Sequence, residues 1–97
     1  MISEMIVVDS QVLYLRNLSS YDYFEFLKLT KYQISKCEFI DKFIKNKKIN
    51  SLVMVNPYTL DLVALSIKYE GKLKKIIFNK GYDCDKLMKY LINEAKQ

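Results

Sequence analysis

Histidine is absent from this 97-residue chain. Because histidine is the usual acid–base group at neutral pH and the commonest metal ligand, its absence excludes serine triads and histidine-containing zinc sites. Glycine occurs only at Gly71 and Gly81, so the chain lacks the glycine-rich loop that binds phosphates in nucleotide-dependent enzymes. We therefore expect a protein that is not an enzyme and that uses no cofactor or metal.

Cysteine and long apolar runs are also scarce. The two cysteines, Cys37 and Cys84, are too few for the disulfide framework of a small secreted domain. No apolar stretch approaches the ~18 residues of a membrane helix, and Glu4 interrupts the N-terminus before a signal-peptide core could develop. These absences predict a protein without a membrane partner, located in the cytoplasm, or in the host cytoplasm if it is viral.

Arginine is nearly absent, whereas lysine is abundant. Arg16 is the only arginine, but residues 42–97 hold twelve lysines against five acidic residues, and the net charge is +5. This charge favours anionic partners. Because guanidinium groups carry most base-edge recognition, nucleic-acid binding by this chain would not be sequence-specific. The wealth of lysine, asparagine and isoleucine is typical of an AT-rich genome, such as that of a virus, a mobile element or an AT-rich microbe.

The residues that are present predict a single domain over residues 1–97. Apolar residues make up 51% of the chain and charged residues 28%, as in soluble globular proteins. Alternating apolar residues indicate strands, while helical spacing and capping boxes indicate helices. The predicted elements are strands Met5–Val8 and Gln11–Leu15, a helix capped by Ser19 or Ser20 and ending near Lys31, a helix from Ser35, strands Ser51–Val55, Leu60–Tyr69 and Lys72–Phe78, and a C-terminal helix capped by Asp83.

Two boundaries have an alternative. Thr30 with Gln33 offers a rival cap, which would start the second helix earlier. Asn56 with Pro57 is expected to form a turn, but it could also cap a helix whose first residue is the proline. The C-terminal helix has no rival, because its apolar residues form one continuous stripe: Cys84, Leu87, Met88, Leu91, Ile92 and Ala95.

The last two strands predict a hairpin around Glu70 and Gly71. A two-residue loop places Tyr69 opposite Lys72, and the register then continues with Ile67 opposite Lys74, Leu65 opposite Ile76 and Val63 opposite Phe78. The lysines lie near the turn on both faces. They are either a solvated tip that keeps the sheet from pairing with other chains, or a basic finger that follows a phosphate backbone.

A nuclease site on this hairpin is disfavoured. Asp61 followed by Ser66-Ile67-Lys68 is similar to the Asp then Glu-x-Lys pattern of metal-dependent nucleases. That pattern needs a second carboxylate two residues before the lysine to hold Mg²⁺, and here the position is Ser66.

The order of elements, β-β-α-α-β-β-β-α, predicts an α+β fold with a mostly antiparallel five-stranded sheet packed with helices. This order resembles the plan shared by longin, profilin-like and PAS domains, although no motif of those families is present. The resemblance implies the spatial strand order 2-1-5-4-3, with helices on one or both faces of the sheet. The apolar strand Ser51–Val55 would then lie at an edge.

The first functional hypothesis is a small non-catalytic protein-interaction module that forms a homodimer, such as a regulator or inhibitor encoded by a virus or mobile element. An apolar edge strand would invite pairing across a dimer. The second face of the hairpin also needs cover, either from the C-terminal helix or from another molecule. The expected dimer surface comprises Leu52, Val53, Met54, Leu62, Ala64, Leu73 and Ile77.

The alternative hypothesis is a nucleic-acid-binding protein that uses two lysine clusters. One cluster ends the second helix and the other surrounds the hairpin turn, where a tyrosine is available for stacking on bases. The two helices and the hairpin also match part of a winged helix, whose usual third helix is missing. The expected contacts are Lys45, Lys47, Lys48, Lys72, Lys74, Lys75 and Tyr69.

Overall fold

A five-stranded antiparallel sheet with helices on both faces forms the protein. The computed structural model describes residues 3–8, 10–82 and 84–95. The α+β fold and the predicted order of elements are confirmed. In chain order the elements are β1 (Ser3–Val8), β2 (Gln11–Asn17), a 3-10 turn (Ser20–Asp22), α1 (Tyr23–Thr30), α2 (Lys36–Phe39) with a π-helical continuation (Ile40–Ile44), β3 (Ile49–Val55), β4 (Leu62–Tyr69), β5 (Lys72–Phe78) and α3 (Cys84–Ala95).

The strands follow one another across the sheet in the order β1-β2-β3-β4-β5. The order 2-1-5-4-3 implied by the resemblance to longin, profilin-like and PAS domains is therefore wrong. The two helices between β2 and β3 return the chain to the strand that it has just left, so that Tyr14 pairs with Val55 and Asn17 with Leu52. Each strand thus lies beside its neighbour in sequence, which is the commonest arrangement in proteins.

The strand order also corrects the expected dimer surface. β3 lies at the centre of the sheet rather than at an edge, because β2 pairs with one side of it and β4 with the other. Its apolar side chains are buried in the core of the monomer. Of the seven residues expected at a dimer surface, Leu52, Val53, Met54, Leu62 and Ala64 are buried within the chain, while Leu73 and Ile77 are half-buried.

Each face of the sheet has its own core. Phe26 and Phe39 from α1 and α2 pack with Val53 and Leu65 on one side, called here the α1–α2 face. Leu87 and Leu91 of α3 pack with a second group of sheet residues on the other side, the α3 face. The C-terminal helix therefore covers the second face of the sheet, as one of the two predicted arrangements required. The sheet residues of the α3 core are Ile6, Val8, Leu13, Leu15, Leu52, Met54, Val63 and Ala64.

The two helices on the α1–α2 face begin and end where local signals predict. Ser19 precedes the 3-10 turn that leads into α1, and Lys31 ends α1 in the left-handed conformation, with φ 64°. The Ser35 hydroxyl accepts a hydrogen bond from the backbone N–H of Glu38 at 3.2 Å, which confirms the start of α2. The rival cap is wrong, because the Thr30 hydroxyl donates to the Phe26 carbonyl at 2.8 Å and closes α1 instead.

Asn56 starts a turn and not a helix. Its side-chain oxygen accepts hydrogen bonds from the backbone N–H of Tyr58 at 2.9 Å and of Thr59 at 3.3 Å. Asparagine favours such turns because its side chain bonds to the backbone two residues further on. Leu60 then has a φ of 65°, which interrupts any continuing helix before β4 begins.

The β4–β5 hairpin has the predicted loop but a different register. Glu70 and Gly71 have φ values of 51° and 82°, as expected for a two-residue hairpin loop with two positive φ angles. Tyr69 pairs with Lys72 and Lys68 with Leu73 as predicted, but Lys74 is an extra residue, so that Ile67 pairs with Lys75.

This β-bulge shifts every later pair by one residue. Leu65 faces Ile77 and Ala64 faces Phe78, instead of the predicted Ile76 and Ile77. As a result Ile76 and Phe78 both reach the α3 core, whereas the predicted register places them on the opposite face. An extra residue that reverses a strand's faces leaves no mark in the local alternation of apolar residues.

In α3, Leu87 and Leu91 are buried and Ile92 is half-buried, as predicted. Met88 is 41% exposed, so the helix buries a narrower stripe than its sequence suggests. The predicted cap Asp83 lies outside the described residues, as do Asp9, between the first two strands, and the side chains of Cys84 and Ala95.

Candidate nucleic-acid interface

The structure brings the two predicted lysine clusters together at one end of the sheet. The backbone N–H of Glu70, in the β4–β5 loop, donates to the carbonyl of Lys48 at 2.7 Å. Strand pairing also keeps the two segments adjacent, because Ile49 lies opposite Tyr69 and Tyr69 lies opposite Lys72. Segments more than 20 residues apart in sequence therefore form one surface. This basic end comprises Lys45, Lys47, Lys48, Lys72 and Lys74.

Backbone turns hold both halves of the basic end in place. The side-chain oxygen of Asn46 accepts a hydrogen bond from the backbone N–H of Lys48 at 3.0 Å. The backbone carbonyl of Asn46 accepts another from the backbone N–H of Ile49 at 3.1 Å. On the other half, the positive φ angles of Glu70 and Gly71 form the tight turn that keeps Tyr69 opposite Lys72. The lysine side chains are long, but the backbone from which they project is fixed.

Positive charge at this end is almost uncompensated. All five lysines of the basic end are exposed. Lys48 lies 3.8 Å from the carboxylate of Glu70, in an ion pair whose side chains are both more than half exposed. Among the residues that the structure describes, no other lysine of the basic end has an acidic partner. Such a surface attracts polyanions.

Lys75 is held away from the basic end, whereas Tyr69 lies beside the hairpin turn, as the sequence predicts. The Lys75 ammonium group donates to the Tyr32 hydroxyl at 3.1 Å and lies 5.2 Å from the centre of its ring, so this lysine is held on the α1–α2 face. Tyr69 remains at the basic end and is 38% exposed, which leaves part of its ring free to stack. Tyr69 therefore belongs to the basic end, and Lys75 lies at its border.

A cleft of about 590 Å³ lies further along β5, on the α1–α2 face. Lys28, Lys31 and Lys80 contribute to its lining, but so do the carboxylates of Glu25 and Asp61. Lys28 is 3.2 Å from Glu25. The charges of the cleft nearly cancel, in contrast to those of the basic end.

The only arginine has a structural role that the sequence reasoning missed. Both terminal nitrogens of Arg16 donate to the carboxylate of Asp22, at 2.7 and 2.8 Å, which ties the start of α1 to β2. The Ser19 backbone N–H donates to the same carboxylate at 2.8 Å. The pattern Ser19-x-x-Asp22 was the available signal, because it is a capping-box spacing. Arg16 is thus unavailable for base or phosphate recognition.

Burial and hydrogen bonding have opposite effects on the pKa values of this pair. Burial alone would raise the pKa of Asp22, but the hydrogen bonds from Arg16 and from the Ser19 backbone outweigh it and lower the pKa below its ordinary value. The hydrogen bond to Asp22 raises the pKa of Arg16, against the opposing effect of its own burial. Both groups are therefore charged at neutral pH.

The residues of the disfavoured nuclease pattern are far apart. Asp61 immediately precedes β4, and its carboxylate accepts a hydrogen bond from Thr59 at 3.0 Å. Lys68 lies seven residues later near the other end of the strand, which corresponds to about 23 Å at the usual rise of a strand. The described residues contain no group of three acidic, cysteine or histidine side chains placed to hold a metal ion.

Comparison of the chain with protein-family models, curated proteins and solved structures finds no match in any of the three. Within the described part of the chain, no helix is long and apolar enough to span a membrane. The function is therefore inferred from the residues of the basic end themselves.

Proposed function

We propose that this chain is a small non-catalytic interaction protein that binds the phosphate backbone of nucleic acid, without sequence preference, through its basic end. The observation that carries this proposal is the union of two lysine clusters, separate in sequence, by the hydrogen bond from Glu70 to Lys48. Five exposed lysines then project from the start of β5 and from the segment between the π-helical turn and β3. The protein-interaction hypothesis retains one supporting feature, the edge strand β1, whose Met5 and Val7 side chains are exposed.

The chemistry of the basic end favours phosphate over base recognition. Ammonium groups act as compact point charges, whereas base edges are read mainly by planar, bidentate groups. The guanidinium that could supply such a group is bound to Asp22. Tyr69 adds an aromatic ring beside Lys72, on which the base of a single strand can stack with any sequence.

Salt dependence gives the first test. Each phosphate that a lysine neutralises releases counterions, so affinity falls with salt in proportion to the number of contacts. If three to five lysines contact a duplex, raising the salt from about 50 to about 200 mM should weaken binding by roughly 40- to 500-fold. Fluorescence anisotropy with two labelled duplexes of unrelated sequence measures this loss, which should be the same for both.

Charge removal locates the interface. The variant Lys72→Gln/Lys74→Gln should bind more weakly at low salt, and its log–log salt slope should be shallower by about 2 than that of the wild-type chain. The matched control, Lys36→Gln/Lys89→Gln, removes two exposed lysines of α2 and α3, which lie outside the basic end. An equal change in both variants, or no binding by the wild-type chain at low salt, would show that the basic end is not the interface.

A further inference from the structure

The two edges of the sheet differ in how well they resist pairing. At one edge, β5 carries a bulge at Lys74 and the exposed lysines Lys72 and Lys75. Bulges and lysines are the usual means by which sheets avoid adding a foreign strand. At the other edge, β1 pairs with β2 in a continuous register from Ser3 opposite Arg16 to Val8 opposite Gln11, without a bulge. Within the described residues, no strand pairs with the outer side of β1.

The side chains of β1 are also unusual for an edge strand. Met5 is 55% exposed and Val7 is 68% exposed. Both alternate with Ile6 and Val8, which belong to the α3 core, so they lie on the α1–α2 face of the sheet. The helices on that face pack against β3, β4 and β5 and leave the apolar side chains of β1 uncovered. The strand contains no lysine or proline.

We infer that β1 pairs antiparallel with β1 of a second copy of this chain, so that two five-stranded sheets join into one of ten strands. A twofold axis through Ile6 places Met5 opposite Val7 of the partner on the α1–α2 face, twice. On the α3 face it places Ile6 opposite its own copy. All of these pairs are apolar.

Charge favours this partner and this register. Each copy has a net charge of +5, so self-association is least opposed where lysine is absent. The charged residues of β1 and β2 are Glu4 and Arg16, and Arg16 is neutralised by Asp22. The axis through Ile6 sets Glu4 opposite Val8 of the partner, which keeps the two glutamates apart. Like charges directly opposite each other would destabilise the pairing.

The dimer is independent of the proposed nucleic-acid binding, because β1 and the basic end share no residue. β1 and β5 are separated by four strand spacings, or about 19 Å. In the dimer the two basic ends are therefore carried by the halves of the sheet that lie away from the twofold axis.

The test is the oligomeric state of the wild-type chain and two variants. Light scattering during size exclusion, from about 5 to about 200 µM, covers dissociation constants in the micromolar range. We expect a dimer that dissociates on dilution. The variant Met5→Lys/Val7→Lys places lysine opposite lysine at both positions and should be monomeric throughout this range. Leu60→Lys, which adds a lysine at a residue that is 70% exposed in the β3–β4 turn, should remain dimeric.

A third variant tests the register. Met5→Glu/Val7→Lys places glutamate opposite lysine of the partner and should restore the dimer. A register centred on Met5 would instead place glutamate opposite glutamate and would not restore it. A wild-type chain that is monomeric at the highest concentration overturns the inference, even if β1 pairs with an unrelated protein. So does a dimer that persists in Met5→Lys/Val7→Lys. Circular dichroism establishes that each variant is folded.

Discussion

Phe26→Ala should lower the free energy of unfolding by about 3–5 kcal/mol, the largest change expected from any single substitution considered for this chain. Phe26 is fully buried at the centre of the α1–α2 face. The centroid of its ring lies 4.8 Å from the ring centroid of Phe39, 4.9 Å from that of Phe43 and 5.8 Å from that of Tyr32. Alanine would leave a cavity among these three rings, because aromatic side chains held by several elements cannot collapse into the space. Urea unfolding followed by circular dichroism measures the loss.

Phe24→Ala is the matched control for this prediction. It removes the same side chain from the same helix, but Phe24 is 70% exposed. Its ring contacts the ring of Tyr23 at a centroid distance of 5.2 Å. We expect a loss below about 1 kcal/mol, since little apolar surface is returned to water. Equal losses from the two variants would contradict the assignment of Phe26 to the core of the α1–α2 face.

Asp22→Ala should lower the free energy of unfolding by about 2–3 kcal/mol. The substitution removes a carboxylate that accepts hydrogen bonds from both terminal nitrogens of Arg16 and from the Ser19 backbone N–H. The Arg16 side chain is only 29% exposed, so its charge would remain partly buried without a partner. The start of α1 would also lose its attachment to β2. Urea unfolding at neutral pH measures the effect.

The matched control is Glu25→Ala, which breaks the ion pair with Lys28. That pair has an N–O distance of 3.2 Å, but its side chains are 74% and 38% exposed. Exposed pairs of this kind contribute about 0–1 kcal/mol. If Glu25→Ala costs as much as Asp22→Ala, then burial is not what makes the Arg16–Asp22 pair important.

The same pair predicts how stability depends on pH. The pKa of Asp22 is lower in the folded chain than in the unfolded chain, where an aspartate has a pKa of about 3.9. The ionised pair therefore contributes its full stability above this value, and the contribution is lost as the pH falls through the lower pKa of the folded state. The stability difference between the wild-type chain and Asp22→Asn should be constant above about pH 5 and should shrink below about pH 4. A difference that stays the same down to pH 3 would contradict the lowered pKa.

The β5 side and the β1 side of the sheet differ in charge and in exposed apolar surface. The basic end joins the β4–β5 turn to the segment before β3, and its positive charge disfavours the addition of a foreign strand and is proposed to bind phosphates. β1, at the opposite edge, has exposed apolar side chains and no lysine. Each edge thus fits one kind of partner, and the two proposals can fail separately.

Local signals predict much of the fold and the two lysine clusters of the basic end, but not that these clusters lie side by side. The turn residues Glu70 and Gly71 and the cap at Ser35 are encoded within a few neighbouring positions, and both appear where expected. The lysines at residues 45–48 and 72–75 were recognisable from charge alone. Their adjacency was not, because the hydrogen bond that joins them links Glu70 to Lys48 and depends on β3 lying beside β4.

By itself, the sequence determined the secondary structure, the exclusion of histidine-based chemistry and the identity of the charged segments, because each depends on residue type and short-range spacing. Only the tertiary structure decided the strand order, which buries β3 and exposes β1, and the bulge at Lys74, which reverses the faces of β5. These features depend on pairing between distant strands, whose alternatives share the same local pattern of apolar and polar residues. For that reason the sequence alone predicts a dimer surface on a strand that the fold buries, and the unpaired edge at β1 is visible only in the folded chain.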